Sequence, residues 1–195
     1  SYLAPFFTDR YRVIAIDLPG MGDSSAPVEY GDECFAQAII DVLNYYHLQD
    51  VTIIGHSFGG AQMLRALAQA PELFLRGIVV DSYVRLPPAG DIGLIKPRSV
   101  HKRWQTQLEC IERFRLDPSQ PAADATLLAF IAFHSCIQDQ QGWYWKFDHN
   151  ITNCGEIHNG EILASIPVRV DCIYGELSKI NANNLPSKLM ACLPN

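Results

Sequence analysis

The chain is expected to be an α/β protein: a mostly parallel sheet with crossover helices on both faces, interrupted by an inserted helical segment. Three observations predict this. Short apolar runs alternate with stretches of helical periodicity from Tyr11 to Asp81. The runs are near-continuously apolar, as in strands of a sheet covered on both sides. The rhythm breaks after Asp81 and returns at Val168, which marks an insertion into the sheet domain. Strand, helix, strand, helix, strand in this order requires parallel pairing, because a helix must carry the chain back to the same edge of the sheet.

Each element has its own signature. Tyr11 to Asp17 (YRVIAID) reads as a buried strand ending in the loop Leu18-Pro19-Gly20-Met21-Gly22. Asp32 is the expected N-cap of a helix in which Phe35, Ala38, Ile39, Val42, Leu43 and Tyr46 share one face. Val51 to Gly55 (VTIIG) is a second strand, Phe58 to Gln69 a second helix stopped near Pro71, and Gly77 to Asp81 (GIVVD) a third strand. From Leu86-Pro87-Pro88 onward no core strand is evident. Val100, Trp104, Leu108 and Ile111 form a helical stripe, Leu127, Leu128, Ile131 and His134 a second, and Trp143, Tyr144, Trp145 and Phe147 an aromatic cluster. Val168 to Tyr174 (VRVDCIY) is a fourth strand, followed by a short helix from Pro186 to Leu193. The expected organisation is therefore sheet domain over 1–85, a helical cap over 86–165, and the sheet domain again over 166–195. Insertions of this kind sit over the carboxyl ends of the strands, where open α/β sheets bind ligands.

The stretch that carries chemistry is Val51 to Gly60 (VTIIGHSFGG), which contains Gly55-x-Ser57-x-Gly59. A G-x-S-x-G pattern alone is a weak signal; a buried strand leading in and a helix leading out make it specific. On such a turn the Ser57 hydroxyl stands clear of the sheet and is a candidate nucleophile. The flanking residues must be small, because strand and helix backbones come close together, and Gly55, Gly59 and Gly60 supply that room. The backbone N–H of Phe58 would face a developing oxyanion, with the helix N-terminus adding positive potential. The competing reading is that Ser57 only caps the helix. His56 is adjacent in sequence, which places its side chain on the wrong side of the turn for a base; it is read as packing or supporting the turn.

With these residues in view, the sequence resembles the α/β-hydrolase superfamily, in its branch with an inserted helical cap. Asp17-Leu18-Pro19-Gly20-Met21-Gly22-Asp23-Ser24 resembles the family's D-x-x-G-x-G-x-S loop, Gly55 to Gly60 its nucleophile elbow, and Pro71-Glu72 with Gly77 to Asp81 its link into the next strand. The likeness is close over Tyr11 to Asp81 and looser over Ile166 to Glu176. It implies a base and an orienting acid for Ser57. The family's acid commonly follows the later strand in a G-x-x-D pattern, but Gly175-Glu176-Leu177-Ser178 carries Ser at that place. Asp81, at the end of the strand next to Ser57's, is the favoured acid, because the usual position is vacant, and Glu176 is the alternative. The family's base is a histidine after one further strand, and no such histidine is expected in this chain. His47 belongs at the far end of the first helix, and His101, His134, His149 and His158 fall in the insertion. The family's second oxyanion donor, from an His-Gly loop, would precede Ser1 to Phe7 (SYLAPFF). The fold is thus expected to be incomplete, and the chain on its own inactive.

The resemblance implies hydrolysis of a small-molecule ester or related acyl bond through an acyl-enzyme on Ser57. Carbon–carbon hydrolases and cofactor-free haloperoxidases share the serine, and a non-catalytic or weakly catalytic ligand-binding protein on the same fold is the alternative from another class. Trp143 and Trp145 are candidate pocket residues, or equally part of the cap's own core. A net charge of −6 argues against a nucleic-acid partner, because phosphate binding needs clustered Lys and Arg. No apolar run reaches the roughly 18 residues of a membrane helix. Six scattered cysteines without a C-x-x-C pair read as reduced thiols of a cytoplasmic protein. Neither cofactor nor metal is expected: Cys154, Glu156 and His158 alternate in a loop without further ligands, and Gly20-x-Gly22 does not run on into a nucleotide-binding helix. Asn150-Ile151-Thr152 matches a glycosylation sequon, given little weight. The sequence does not speak to oligomeric state.

Overall fold

β-branched and aliphatic runs at Val51–His56 (β1), Phe74–Val80 (β2) and Val170–Ile173 form a three-stranded sheet in a computed structural model of the chain. The structure describes residues 3–31, 33–82, 84, 102–116, 124–153, 160–178 and 184–194. The expected N-cap Asp32, the Leu86-Pro87-Pro88 opening, Val100, His101, Cys154, Glu156 and His158 lie outside the described residues. The chain divides into two compact units, one of Ser1–Leu18, Glu29–Leu94 and Cys154–Asn195, the other of Pro19–Val28 and Ile95–Asn153.

In the first unit β2 lies between the other two strands, and both pairings are parallel. Thr52 through His56 face Arg76 through Val80 in unbroken register. The crossover from β1 to β2 is the helix Phe58–Gln69 (α2), preceded in the chain by Cys34–Tyr45 (α1). α1 packs on α2, and α2 packs on β1 and β2. Met63, Leu64, Ala66 and Leu67 of α2 are buried, with Phe35, Ala36, Ile39, Ile40 and Leu43 of α1. Each fully buried leucine contributes roughly 1.5–3 kcal/mol of transfer free energy. Gly77 lets the helix seat closely: a Cβ there would lie 2.6 Å from Leu67 Cδ1. α1 is held at its start by Glu33, whose carboxylate accepts from Arg65 at 3.1 Å and from Gln69. Glu33 also stands at the N-cap, with no side-chain cap bond.

One expectation fails in this unit. Tyr11 to Asp17 is not a strand. Arg12 to Ile16 make no backbone hydrogen bond among the described residues, and Val13, Ile14 and Ile16 stay exposed. An apolar run is only competent to be a strand; the strand itself is a ladder, and Arg12 to Ile16 form none among the described residues.

The second unit holds an antiparallel hairpin beside its helices, an element not expected from the sequence. A capping box, in which Thr106 accepts from the Glu109 N–H and Glu109 accepts from the Thr106 N–H, starts the helix Gln107–Glu112 (α3). Trp104, expected on the stripe of that helix, precedes it and exchanges two backbone bonds with Trp143 at 2.8 and 2.9 Å. Asp124 caps Ala125–His134 (α4) through the Leu127 N–H at 2.8 Å. Cys136–Asp139 (β3) and Gly142–Trp145 (β4) then form an antiparallel hairpin. The aromatic cluster is therefore largely one strand, its β-propensity hidden behind its composition. Gly142 is required here: its φ is +130°, and a Cβ would meet the Trp104 carbonyl oxygen at 2.6 Å. The loop Pro19–Val28 belongs to this unit, bound by Gly22 N–H to the Lys146 carbonyl at 3.1 Å and by Asp148 N–H to the Gly20 carbonyl at 2.8 Å. Gly20 and Gly22 hold φ of 73° and 56°, which explains glycine at both places. In the first unit the strand Val170–Ile173 (β5) is preceded by the short helix Gly160–Leu163 (α5) and followed by Leu185–Cys192 (α6), whose Leu189 is fully buried. No helix among the described residues is long and apolar enough to cross a membrane.

Candidate active site

Ser57 stands between the last residue of β1 and the first of α2, with φ 51° and ψ −121°. This conformation costs a non-glycine residue of order 1–3 kcal/mol and persists only where the surroundings hold it. They do so here. Ser57 N–H donates to the Val80 carbonyl at 3.1 Å, extending the β1–β2 ladder one residue past the strand. Its own carbonyl accepts from the N–H groups of Gly60 and Ala61 at 3.1 and 3.3 Å, starting α2. The hydroxyl makes no capping bond, so Ser57 is not serving as the helix's polar cap.

The turn is closed by two glycines. A Cβ on Gly55 would lie 2.6 Å from Gly60 Cα and 2.8 Å from both Gly59 O and Gly60 N. A Cβ on Gly60 would lie 1.9 Å from Ser82 Oγ and 2.9 Å from Gly55 O. Gly59 is a correction to the expected set: a Cβ there meets nothing within 4 Å among the described residues, so the turn does not need glycine at this place for room. His56 is also corrected in part. It closes β1 in register with Val80, but its side chain is exposed, so it does not pack. Phe58 N–H takes no backbone acceptor among the described residues, as the first amide of a twelve-residue helix should not. The Phe58 ring packs edge-on against Phe35 with centroids 5.0 Å apart, which anchors this amide in place.

Asp81 follows β2 directly and so lies at the carboxyl end of the strand adjacent to Ser57's. It too has positive φ, 44°. Its N–H donates to the Ile173 carbonyl at 2.7 Å. Its carboxylate accepts from the Ser178 hydroxyl at 2.8 Å and from the Gly175 N–H at 3.3 Å. The next residue, Ser82, is fully buried against Gly60, with its hydroxyl on the Val80 carbonyl at 3.1 Å and its own carbonyl accepting from Tyr174 Oη at 2.9 Å. Burial, with smaller contributions from Cys172 and Asp81, raises the Tyr174 phenol well above its ordinary range, so it remains a proton donor. Burial first, and the Asp171 charge second, push the nearby Cys172 thiol up to about 11, which removes it as a competing nucleophile at neutral pH. Glu176, the alternative acid, is exposed in the turn after β5.

The structure therefore brings Ser57, the Phe58 amide and Asp81 to the same end of one parallel sheet, the end at which open α/β sheets bind ligands. Among the described residues of this unit it does not bring a base to them. His47 is exposed between α1 and β1, at the opposite end of the strand from Ser57. His134 and His149 belong to the second unit, where they contact Phe130, Phe133 and Phe147. In that unit Trp145 packs against Trp104 at 5.0 Å and donates its indole N–H to the Cys110 carbonyl at 3.2 Å. Trp143 lines an open cleft of about 340 Å³ with Gln107, Phe133, His134 and Lys146 among its neighbours. No three His, Cys, Asp or Glu side chains converge on a metal position among the described residues.

Two serines at this strand end carry more than sequence reasoning assigns them: Ser178 stands out in the sequence only as a vacancy, and Ser82 not at all. The signal for both is a serine at the usual acid position combined with Asp-Ser at the end of the preceding strand.

Comparison with known proteins shows the family and the fold. The profile of the alpha/beta hydrolase fold family matches residues 1–109. The uncharacterized hydrolase YugF of Bacillus subtilis is 35% identical over 80 residues, 40% of this chain and 29% of that protein. The match thus spans less than a third of that relative's length. Among solved structures, E-2-(acetamidomethylene)succinate hydrolase superposes with a TM-score of 0.81 at 18% identity, covering 100% of this chain and 74% of that one. The thioesterase domain from the curacin biosynthetic pathway superposes with a TM-score of 0.76 at 23% identity, covering 97% and 73%. At these identities the likeness to both concerns the fold.

Proposed function

Because the chain belongs to the α/β-hydrolase fold family, we propose that it supplies the nucleophile of a serine hydrolase acting on a small-molecule ester or related acyl bond. The observation that carries this reading is the strained, uncapped Ser57 at the strand-to-helix turn. A helix start gains nothing from such a conformation; a nucleophile that must project beyond the sheet does.

In the proposed reaction Ser57 Oγ attacks the carbonyl carbon and gives up its proton to a base. Charge gathers on the carbonyl oxygen, which accepts from the Phe58 N–H at the positive end of α2. Collapse expels the leaving group, which takes the proton back from the base, and an acyl-enzyme remains. Water, deprotonated by the same base, attacks the acyl carbon, and Ser57 leaves with a proton restored to its oxygen. Asp81 is assigned as the acid that orients the base, in preference to Glu176. The base is assigned to a histidine, and none of the described histidines of the first unit is given that role. The division into core, inserted cap (86–165) and core is part of the same reading, with substrate choice residing in the cap.

The test is a fluorophosphonate probe on the full-length protein. Labelling at Ser57, absent in Ser57→Ala, is the expected result. Absence of labelling in the unmodified protein sinks the hydrolase reading and leaves a ligand-binding role on the same fold.

A further inference from the structure

We infer that Ser178 is a positioning residue: its hydroxyl fixes the Asp81 carboxylate, so that the orienting acid stands directly after β2 and is buttressed from the loop after β5. The inference rests on the reading of Asp81 as the acid. The two residues are 97 positions apart in sequence, and Ser178 Oγ donates to Asp81 Oδ2 at 2.8 Å. Gly175 N–H donates to the other oxygen at 3.3 Å. The clamp is itself set by a tight turn, since Ser178 N–H donates to the Gly175 carbonyl at 3.1 Å. Between these ends Glu176 and Leu177 are exposed, so the turn presents only its backbone and the Ser178 hydroxyl to Asp81.

The chemistry of the pair explains why serine stands where the family resemblance leads one to expect aspartate. A hydroxyl is a donor to an ionised carboxylate, and a bond to a charged acceptor is about twice as strong as a neutral one. A second carboxylate at position 178 would sit within hydrogen-bond distance of Asp81, and two like charges there cannot both ionise readily. An acid just after β2 and a hydroxyl after β5 are therefore a compatible pair. The clamp also leaves the acid able to work. A carboxylate offers about four lone-pair sites; Ser178 and Gly175 take one on each oxygen, and the remainder can accept an imidazole N–H. Asp81 is also restrained from behind, because its N–H is bound to Ile173 and its neighbour Ser82 is buried. On the Oδ2 side, rotation of the carboxylate is then limited by the Ser178 bond.

The experiment uses the full-length protein and p-nitrophenyl acetate, with kcat and KM measured separately for Asp81→Asn, Ser178→Ala and Ser178→Thr. Asp81→Asn is expected to lower kcat by roughly 1,000-fold or more, the range seen when an orienting acid is neutralised. Ser178→Ala is expected to lower kcat roughly 10-fold, the worth of one hydrogen bond to a charged group. KM should stay unchanged, and Ser178→Thr should recover most of the loss. A Ser178→Ala protein with wild-type kcat, beside an inactive Asp81→Asn, overturns the inference and leaves the hydrolase reading intact. The inference is equally overturned if Ser178→Ala loses stability in step with activity and threonine does not rescue it. Full activity in Asp81→Asn overturns the acid assignment and the inference together. If the unmodified protein neither turns over the ester nor takes a fluorophosphonate label, the hydrolase reading falls and this inference with it.

Discussion

Adding one carbon at Gly55 tests the turn that presents Ser57. The new Cβ would lie 2.6 Å from Gly60 Cα, about 0.8 Å inside the 3.4 Å at which ordinary contact begins. The other two close atoms, Gly59 O and Gly60 N at 2.8 Å, are also backbone, so no side chain can rotate aside. β1 and α2 must separate, yet both are tied to the core through Leu64, Leu67 and the β1–β2 ladder. Overpacking of this kind costs about 1–3 kcal/mol or more. Restricting the unfolded chain returns about 0.4–1 kcal/mol. A net loss near 2 kcal/mol, divided by a urea m-value of about 2 kcal/mol/M, lowers the unfolding midpoint by about 1 M. Gly59→Ala is the internal control. Its Cβ meets nothing within 4 Å, and alanine exceeds glycine in a helix by about 1 kcal/mol, so this variant should match or exceed the parent. Urea titrations followed by far-UV circular dichroism measure both. Equal midpoints for Gly55→Ala and Gly59→Ala refute the account of the turn.

Three further outcomes are expected. Gln62 is fully buried in α2 with neither amide atom bonded to a partner among the described residues, so Gln62→Met should raise stability by about 1–3 kcal/mol; a lower midpoint in urea rules this out. Asp171 is held to about 2 by the Arg76 and Arg169 guanidiniums that bond it. Its folded pKa lies below its unfolded one, so its contribution is present above about pH 4 and lost as pH falls toward 2; Asp171→Asn should flatten that limb of a stability-against-pH curve. Arg103 bonds Asp139 through both Nε and Nη2, at 3.1 and 2.7 Å, and lies 4.0 Å above the Tyr144 ring, a geometry lysine cannot copy. Arg103→Lys should cost about 1 kcal/mol in thermal unfolding, and a neutral result would show that the fork is idle.

Reading the sequence went furthest where structure is local. The Gly55-x-Ser57-x-Gly59 turn could be placed between strand and helix because its constraints act between residues a few positions apart. α2 and α6 lie where helical spacing and proline put them. The same logic misjudged places where a partner decides. Tyr11 to Asp17 has a strand's composition, but Arg12 to Ile16 join no backbone ladder among the described residues. Gly142 to Trp145 is a strand because Cys136 to Asp139 pairs with it, which an aromatic count does not reveal. Trp104 left its predicted helix because its backbone groups found Trp143 and the capping box began at Thr106.

Sequence alone therefore determined the α/β class, the serine that stands on the sharp turn, and the strand ends on which an acid had to be sought. Periodicity and short-range sterics need no knowledge of what lies elsewhere in the chain. Tertiary structure decided which glycines the turn needs, that Asp81 is gripped while Glu176 is exposed, and that Ser178 does the gripping. Those facts depend on a hydrogen bond between residues 97 positions apart, and such a contact leaves no periodic trace in either segment.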